Sequence, residues 1–339
     1  MIDYTKSEAR AWAKKNFVGV CGVTHPTFTS DLERINEAAI VHDITLLKKL
    51  GYDSTLLVTE LAITPEENAR VAEIARETAG PDFGLFFHAA FGTLEENIHA
   101  AKLAQDAGAD RALLSYPSGF YPTTAEEIYE YTSAFCSATD LAVMLFPIPL
   151  WGFERIHPAG MPVDFVRRVV DTIPNIVAVK SEQGFPSIPG VMEMYRHFRD
   201  EIVISAPIES DVIPLMSVLD LQFSGTSNTN WMSDYFPKAF DLARNGEWDA
   251  AMELYWKVQP ARLANGAAAS SYASGTHMLN RTMWKYQEWL AGFNGGPLRA
   301  PAMRIPDRFM STFRKSLEAS GLPVTDSEDR EYFIGRNPA

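Results

Sequence analysis

The sequence predicts a single (β/α)₈ TIM barrel, an α/β fold in which eight parallel strands alternate with helices. Short apolar runs alternate with longer segments of helical periodicity from residue 17 to about residue 245. No glycine-rich phosphate fingerprint follows the first run, which argues against an open dinucleotide-binding sheet. Amphipathic segments follow the last run. We therefore expect one domain over residues 1–339, with the barrel at 17–245 and a C-terminal helical extension at 246–339.

Eight apolar runs are the predicted strands of this barrel. Each is short, continuous and rich in Val, Ile, Leu or Phe, as expected for strands buried on both faces. The runs are FVGVCGV (17–23), STLLVT (54–59), FGLFFH (83–88), RALLSY (111–116), LAVMLFP (141–147), NIVAVK (175–180), IVISA (202–206) and LQFSG (221–225).

The segments between these runs carry helix start and stop signals. One helix pattern ends on Gly51 with lysines in its last turn. The next opens with Thr64 as N-cap and Pro65 at the first helical position, and closes on Gly80. A third, TLEENIHAAKLAQDAGA, repeats the design with a threonine, two glutamates and a closing glycine.

Composition excludes several functional classes. The formal net charge is −13, and no basic run is present, so nucleic acid and anionic membranes are poor candidates as partners. The N-terminus is polar, no apolar stretch reaches the roughly 18 residues of a membrane span, and the two cysteines suggest no disulfide framework. We expect a cytoplasmic protein with a small-molecule partner.

Lys180 is the leading candidate for chemistry, because catalytic residues of barrels lie at the carboxyl ends of the strands. It follows the apolar run 176–179, so burial should lower its pKa and leave a nucleophilic amine. Such an amine condenses with a ketone or aldehyde to form an iminium, which acts as an electron sink. The alternatives are a lysine that pairs with a carboxylate such as Glu182, or one that reaches solvent past the barrel rim.

Several segments together resemble the dihydrodipicolinate synthase and N-acetylneuraminate lyase family. IVAVKSEQG is similar to the family's lysine strand, and GVTHPTF to the end of its first strand. ALLSYPSGFYPTTAEEIYEY resembles the fourth strand and the helix that follows it, and FSGTSN resembles the end of the eighth strand. LRAPAMRIPDRFMSTFRKSLEASGL follows the family's C-terminal pattern. The resemblance implies a Schiff-base lyase or synthase of pyruvate or another 2-oxo acid, with no cofactor and a homodimeric or homotetrameric assembly.

The sequence departs from the family at positions that hold substrate. The second strand ends in 57–61, LVTEL, instead of Gly-Thr-Thr-Gly-Glu. Phe146 stands in place of the family's proton-relaying tyrosine, and Trp151 stands near the place of an arginine that binds a substrate carboxylate. The paired tyrosines after the fourth strand become Ser118 and Gly119. These departures argue against the lysine-biosynthesis enzyme.

Other strand-end side chains must then supply the acid–base chemistry. Tyr116 and His88 are the candidate proton shuttles, with loop packing as the alternative role for each. His25 precedes a proline in a loop and is interpreted as structural. His88, Glu60 and Glu209 lack recognisable metal-ligand spacing, so we expect no metal. Polar groups of the substrate are expected to contact Thr59, Glu60, Ser224, Gly225 and Thr226.

The barrel mouth is predicted to be aromatic. Phe146, Trp151 and Phe153 lie at the end of the fifth strand or in the loop after it, where substrate pockets form. This pattern resembles the arylidene-pyruvate hydratase-aldolases, and it implies that Trp231 and Asn280 also line the site. The expected function is a Schiff-base carbon–carbon lyase of a 2-oxo acid with a bulky, aromatic partner. The alternatives are a sugar-acid dehydratase or synthase of the family, and a non-catalytic carbonyl-binding protein.

Overall fold

The computed structural model describes residues 2–182, 187–225, 227–276 and 281–339, with only the backbone at 187 and 269–276. In this part of the chain parallel strands follow one another in sequence order and close into a barrel, which confirms the predicted fold class. The strands are β1 (Gly19–Thr24), β2 (Ser54–Leu57), β3 (Gly84–Ala89), β4 (Arg111–Leu114), β5 (Ala142–Leu145), β6 (Ile176–Lys180), β7 (Val203–Ser205) and β8 (Phe223–Ser224). Each strand end lies within two residues of its prediction.

Helices precede, separate and follow the strands. The helix before the barrel is α1 (Ala9–Asn16). Those between consecutive strands are α2 (Glu37–Lys49), α3 (Pro65–Ala79), α4 (Leu94–Asp106), α5 (Ala125–Ala138), α6 (Val163–Thr172), α7 (Ser187–Phe198) and α8 (Glu209–Met216). The helices after β8 are α9 (Tyr235–Arg244), α10 (Trp248–Lys257), α11 (Gln259–Thr276), α12 (Arg281–Leu290) and α13 (Asp307–Ala319).

Local sequence signals set the helix ends. Thr64 accepts a hydrogen bond from the Glu67 amide while Glu67 caps the Thr64 amide, with Pro65 at the first helical position, as predicted. Gly80 ends the same helix at φ 82°, a conformation that other residues adopt only with strain. These two caps fix where α3 begins after β2 and where it ends before β3.

The amino-terminal end of the barrel is plugged. The rings of Phe17, Phe86 and Phe223 pack with centroids 5.2–5.9 Å apart. The Arg111 guanidinium lies 4.7 Å from the Phe17 centroid. Phe17 follows α1, a helix that the sequence patterns do not predict. Since this end is filled, a substrate can reach the barrel interior only from the carboxyl ends of the strands.

The helices after β8 add to the core on the open side of the barrel. All ten residues of α12 are buried, including its charged ones. The helix packs against α13 and the 3₁₀ turn Asn230–Met232 that follows β8. Its side chains therefore contribute to the barrel mouth. None of the helices in the described ranges is long and apolar enough to span a bilayer.

Candidate active site at the carboxyl ends of the strands

Lys180 ends β6 and is enclosed, with a side chain only 7% exposed. Its Nζ lies 3.4 Å from Oε1 of Glu182 and 3.8 Å from the centroid of the Phe146 ring. Burial lowers the pKa of Lys180, Glu182 opposes this shift, and the positive charge of Arg281 adds to it. The structure thus combines the pairing with Glu182 with the enclosure that favours a neutral amine.

A second charged pair lies at the mouth. Arg281, the first residue of α12, donates from Nε to Oε2 of Glu60 over 2.6 Å, and its Nη1 donates to Oδ1 of Asn228 over 3.2 Å. The Arg281 side chain is 6% exposed and that of Glu60 is 33% exposed. Burial alone would raise the pKa of Glu60, but Arg281, with smaller contributions from His88 and Lys180, holds it below its ordinary value.

His88 faces the barrel interior from β3. Its Nε2 lies 3.0 Å from Oγ of Ser115, at the end of the neighbouring strand. Its Nδ1 is buried and has no hydrogen-bond partner among the described residues. Burial lowers the pKa of His88 to about 4, with Glu60 opposing the shift and Arg281 and Lys180 adding to it. His88 is therefore a neutral imidazole near neutral pH.

The charge of Arg281 acts on Lys180, His88 and Glu60, and the charges of His88 and Lys180 also act on Glu60, so all four groups lie in one region. Arg281 is the member that the sequence patterns do not point to. It lies 221 residues beyond its partner Glu60 and comes from the C-terminal extension. One side of the mouth is thus polar.

Aromatic side chains lie directly beside the lysine. The rings of Phe146 and Trp151 pack edge to face with centroids 5.8 Å apart. The indole Nε1 of Trp151 donates to the Phe146 carbonyl over 2.6 Å, which fixes its orientation. Phe146 contacts the Lys180 amine directly, so these two rings form the wall nearest to the proposed nucleophile.

Tyr116 and Phe153 continue the aromatic wall away from the lysine, since the Tyr116 ring packs edge to face on Trp151 with centroids 6.0 Å apart. Phe153 is buried and packs edge to face on Tyr116 with centroids 5.0 Å apart. The Tyr116 hydroxyl donates to Oγ1 of Thr132 on α5 over 2.7 Å, and that hydroxyl in turn donates to the Ile128 carbonyl. Strand alternation puts Tyr116 on the face opposite to Ser115. The Tyr116 hydroxyl thus joins β4 to the surrounding helix layer, which favours a structural role, and its part as a proton relay stays a prediction.

We expect Tyr116→Phe to keep near-normal kcat. The lost hydrogen bond to Thr132 should lower the free energy of unfolding by about 0.5–1.5 kcal/mol. Thermal unfolding and steady-state kinetics of this variant test both statements, with Thr132→Val as the matched change on the other partner. A fall of kcat by about 10²-fold would restore the relay role.

The smaller polar residues of the mouth hold strand ends together. Thr59 donates from Oγ1 to the His88 carbonyl over 2.9 Å, and Ser224 donates to the Ala206 carbonyl over 3.0 Å. At Gly225 a Cβ would lie 2.4 Å from the Cβ of Cys21, so glycine permits the close approach of β8 to β1. These contacts give all three residues a structural role beside the expected substrate contact.

The remaining predicted site residues either have other surroundings or lie outside the described residues. Trp231 is buried in the 3₁₀ turn below α12, and its indole N–H has no hydrogen-bond partner within the described ranges. Thr226 and Asn280 lie outside the described residues. Glu209 is held by Arg262 over 2.6 Å, whereas Glu60 is held by Arg281. The described residues contain no group of metal-ligating side chains.

Comparisons with known proteins agree with the fold and with the family resemblance. The pattern of the dihydrodipicolinate synthetase family matches residues 60–283. A 4-hydroxy-tetrahydrodipicolinate synthase from Syntrophobacter fumaroxidans is 29% identical over 198 residues, which cover 57% of this chain and 63% of that relative. The chain thus matches less than two thirds of that relative's length.

Solved structures show the same fold over nearly the whole chain. Dihydrodipicolinate synthase from Aquifex aeolicus superposes with a TM-score of 0.75 and 20% identity, over 91% of this chain and 100% of its own. N-acetylneuraminate lyase from Fusobacterium nucleatum superposes with a TM-score of 0.70 and 17% identity, over 89% and 98%. At these identities the likeness establishes the barrel and leaves the substrate open.

Proposed function

The chain belongs to the dihydrodipicolinate synthetase family, and we propose that it is a Schiff-base carbon–carbon lyase of a 2-oxo acid with Lys180 as nucleophile. The observation that carries the proposal is the enclosure of Lys180 at the end of β6, between Glu182 and the ring of Phe146. A neutral amine there attacks the 2-oxo carbon to give a carbinolamine, which takes up a proton and loses water to form the iminium. The iminium then withdraws electrons from the neighbouring carbon, so that a carbon–carbon bond can break or form.

Trapping of the iminium tests this function. Wild-type protein is incubated with pyruvate, 2-oxobutyrate and longer 2-oxo acids in the presence of borohydride, and the adduct is located by peptide mass spectrometry. The expected result is an adduct at Lys180 with at least one acid of the panel. An adduct at another lysine, or none with any of the acids, contradicts the proposal.

An aryl group is the partner that the aromatic wall supports best. Phe146 and Trp151 present apolar faces beside the lysine, and a flat ring would bury its surface against them. A polyhydroxylated chain in the same position would leave hydroxyls unpaired, at about 1–3 kcal/mol for each. We therefore place the enzyme with aldolases or hydratase-aldolases that release an aromatic aldehyde.

The polar side of the mouth favours a second candidate, a dehydratase or synthase of a sugar-acid-like 2-oxo acid. Glu60, Arg281 and His88 could pair with hydroxyl groups or a second carboxylate. A competition assay in the aldol direction separates the two, with one 2-oxo acid donor and matched benzaldehyde-type and sugar-type acceptors. Equal or better kcat/KM for the sugar-type aldehyde would favour the second candidate.

Trp151→Ala should weaken the aryl acceptor selectively. Loss of an aromatic contact of about 1.4 kcal/mol corresponds to a tenfold fall of kcat/KM for the benzaldehyde-type substrate. Trapping of the 2-oxo acid at Lys180 should persist, because Phe146 still contacts the amine. Trp256→Ala is the matched control, since that indole is 59% exposed on α10. An equal loss for both acceptors would contradict a role for Trp151 in acceptor choice.

A further inference from the structure

A histidine and a glutamate form a buried pair beside the proposed site. His25 directly follows β1, and its Nδ1 lies 2.9 Å from Oε2 of Glu288 on α12. The side chains are 1% and 4% exposed. His25 Nε2 is also buried and has no hydrogen-bond partner among the described residues. A carboxylate that orients one imidazole nitrogen while the other stays available is the arrangement of a general acid–base group.

The position of His25 places the pair at the barrel mouth. Cys21 on β1 lies close enough to Lys180 and Arg111 for their charges to act on it, although both belong to other strands, so this face of β1 points inward. His25 is four residues further along and continues the same face by strand alternation. The charges of Arg281 and Glu60 act on His25 and on His88, and the charge of Arg281 also acts on Lys180. His25 therefore borders the region that contains the proposed nucleophile.

The surroundings favour neutral forms of the pair. Lys285, one turn before Glu288, donates to the Pro26 carbonyl and to Oγ1 of Thr27, each over 2.7 Å. Asp43 from α2 accepts from the Asn294 amide over 2.7 Å.

Burial raises the pKa of Glu288, with Lys285 and Arg281 opposing the shift. Burial also lowers the pKa of His25, with Arg281 and Lys285 adding to the shift. Two tyrosines also face the carboxyl group, Tyr52 and Tyr332.

We propose that His25, oriented by Glu288, is the acid–base residue that moves the proton at the carbon next to the iminium on Lys180. This inference rests on the proposed function and deepens it. His25 is the catalytic residue in this proposal, and Glu288 is a positioning residue. Phe146 stands where the resemblance implies a proton-relaying tyrosine, so the reaction needs a different group for this proton.

The His25–Glu288 pair can take up one proton from the substrate and return it. In the neutral form that the surroundings favour, the Glu288 carboxyl group donates to Nδ1 and the imidazole hydrogen is on Nε2. In the form that accepts a proton, Nδ1–H donates to the Glu288 carboxylate and Nε2 has a lone pair. The C3–H bond of the pyruvate iminium breaks, its proton forms Nε2–H, and its electron pair forms the enamine double bond as the iminium nitrogen becomes neutral. The Nδ1 proton passes along the 2.9 Å hydrogen bond to Glu288, so no imidazolium persists in the buried site. The reverse steps return a proton to the enamine carbon.

His88 is the rival for this role and differs in its partner. Its Nε2 lies 3.0 Å from Oγ of Ser115, a hydroxyl, whereas His25 is paired with a carboxyl group. A hydroxyl cannot take up the second proton at neutral pH, so His88 would have to become an imidazolium when it accepts one. Its depressed pKa of about 4 opposes that form. Glu288→Gln should therefore affect proton transfer if His25 is the acid–base residue, and should not if His88 is.

The test measures two steps separately in the full-length protein. Borohydride trapping with pyruvate or 2-oxobutyrate reports the iminium at Lys180, and loss of the C3 proton signal in D₂O, followed by NMR, reports enamine formation. His25→Gln should retain trapping and slow the exchange by about 10²-fold or more. Glu288→Gln should slow exchange less, and it should alter the pH dependence of exchange, since the amide cannot take up the proton.

His99→Gln is the matched control, because His99 on α4 is exposed and pairs with Glu66 on the outside of the molecule. Normal exchange in His25→Gln with intact trapping would overturn the acid–base role, and slow exchange in His88→Gln alone would assign it to His88. If His25→Gln does not fold, Glu288→Gln decides: an unchanged rate and pH profile of exchange overturns the proposal. Absence of trapping in the wild type contradicts the proposed function itself, and so separates the two failures.

Discussion

Lys180→Arg is expected to abolish iminium formation and to reduce turnover by roughly 10⁴-fold or more, the scale seen when a nucleophile is removed. A guanidinium remains protonated at any accessible pH and does not attack a carbonyl. The substitution keeps a positive charge opposite Glu182, which lies 3.4 Å from the native amine. The fold should therefore survive, at a cost of about 1–3 kcal/mol for the larger side chain in an enclosed site.

Two measurements separate chemistry from folding in this variant. Borohydride trapping with the 2-oxo acid panel should give no adduct, while circular dichroism should show the wild-type spectrum. Lys257→Arg is the matched control, because that exposed lysine donates to the Tyr235 hydroxyl on the outside of the molecule. Residual turnover near the wild-type level, or an adduct that persists at another lysine, would remove Lys180 from the mechanism.

The barrel is predictable from the sequence because its signals are local. A strand buried on both faces is an unbroken apolar run, and in β6 that run leads directly to Lys180. Helix caps such as Thr64 depend on neighbours three residues away. The closure of the strands then follows from their number and from their parallel order. These features need no knowledge of distant contacts.

The polar half of the mouth could not be predicted in this way. Arg281, Lys285 and Glu288 recur at i, i+4 and i+7 of α12, a spacing that ordinarily marks the face of a helix exposed to water. In the structure this face is buried against the ends of β1 and β2, and each charge has a partner far away in sequence. Only the tertiary packing of α12 distinguishes the two situations.

Tyr116 shows a second limit of prediction from sequence: the apolar run does not tell which residues at a strand end face the barrel interior. Consecutive residues face opposite sides of a strand, so a shift of one position exchanges interior and exterior. Ser115 contacts His88 inside the barrel, and Tyr116 contacts Thr132 outside it. Apolar runs buried on both faces carry no alternation that would fix this register. His25 lies in the loop after β1, as predicted, but its place beyond the inward face that contains Cys21 is not marked by any local pattern.

The charges around Lys180 lead to a pair of pH effects with opposite signs. The positive charge of Arg281 lowers the pKa of Lys180, and the negative charge of Glu182 raises it. Iminium formation needs the neutral amine, so its rate rises as pH increases through the pKa of the lysine. Arg281→Gln should therefore move this rise to higher pH, and Glu182→Gln should move it to lower pH. Loss of Arg281 also leaves the negative charge of Glu60 without its partner cation. That charge favours the protonated amine, so it too moves the rise to higher pH.

Each shift should be about one pH unit or more, because a charge about 10 Å away at an effective dielectric constant of about 20 contributes about 1.7 kcal/mol, and a closer charge contributes more. Below the rise, Arg281→Gln should therefore form the iminium about tenfold more slowly than wild type. Borohydride-trapping rates measured from pH 5 to 10 give both profiles, and Arg281→Lys, which keeps the charge, should restore the wild-type position. Arg281 is 6% exposed, so its removal also destabilises the fold, and rates must be taken below the unfolding temperature of each variant. Shifts of the same sign in Arg281→Gln and Glu182→Gln would show that these charges do not control the amine, because only opposite signs follow from their opposite charges.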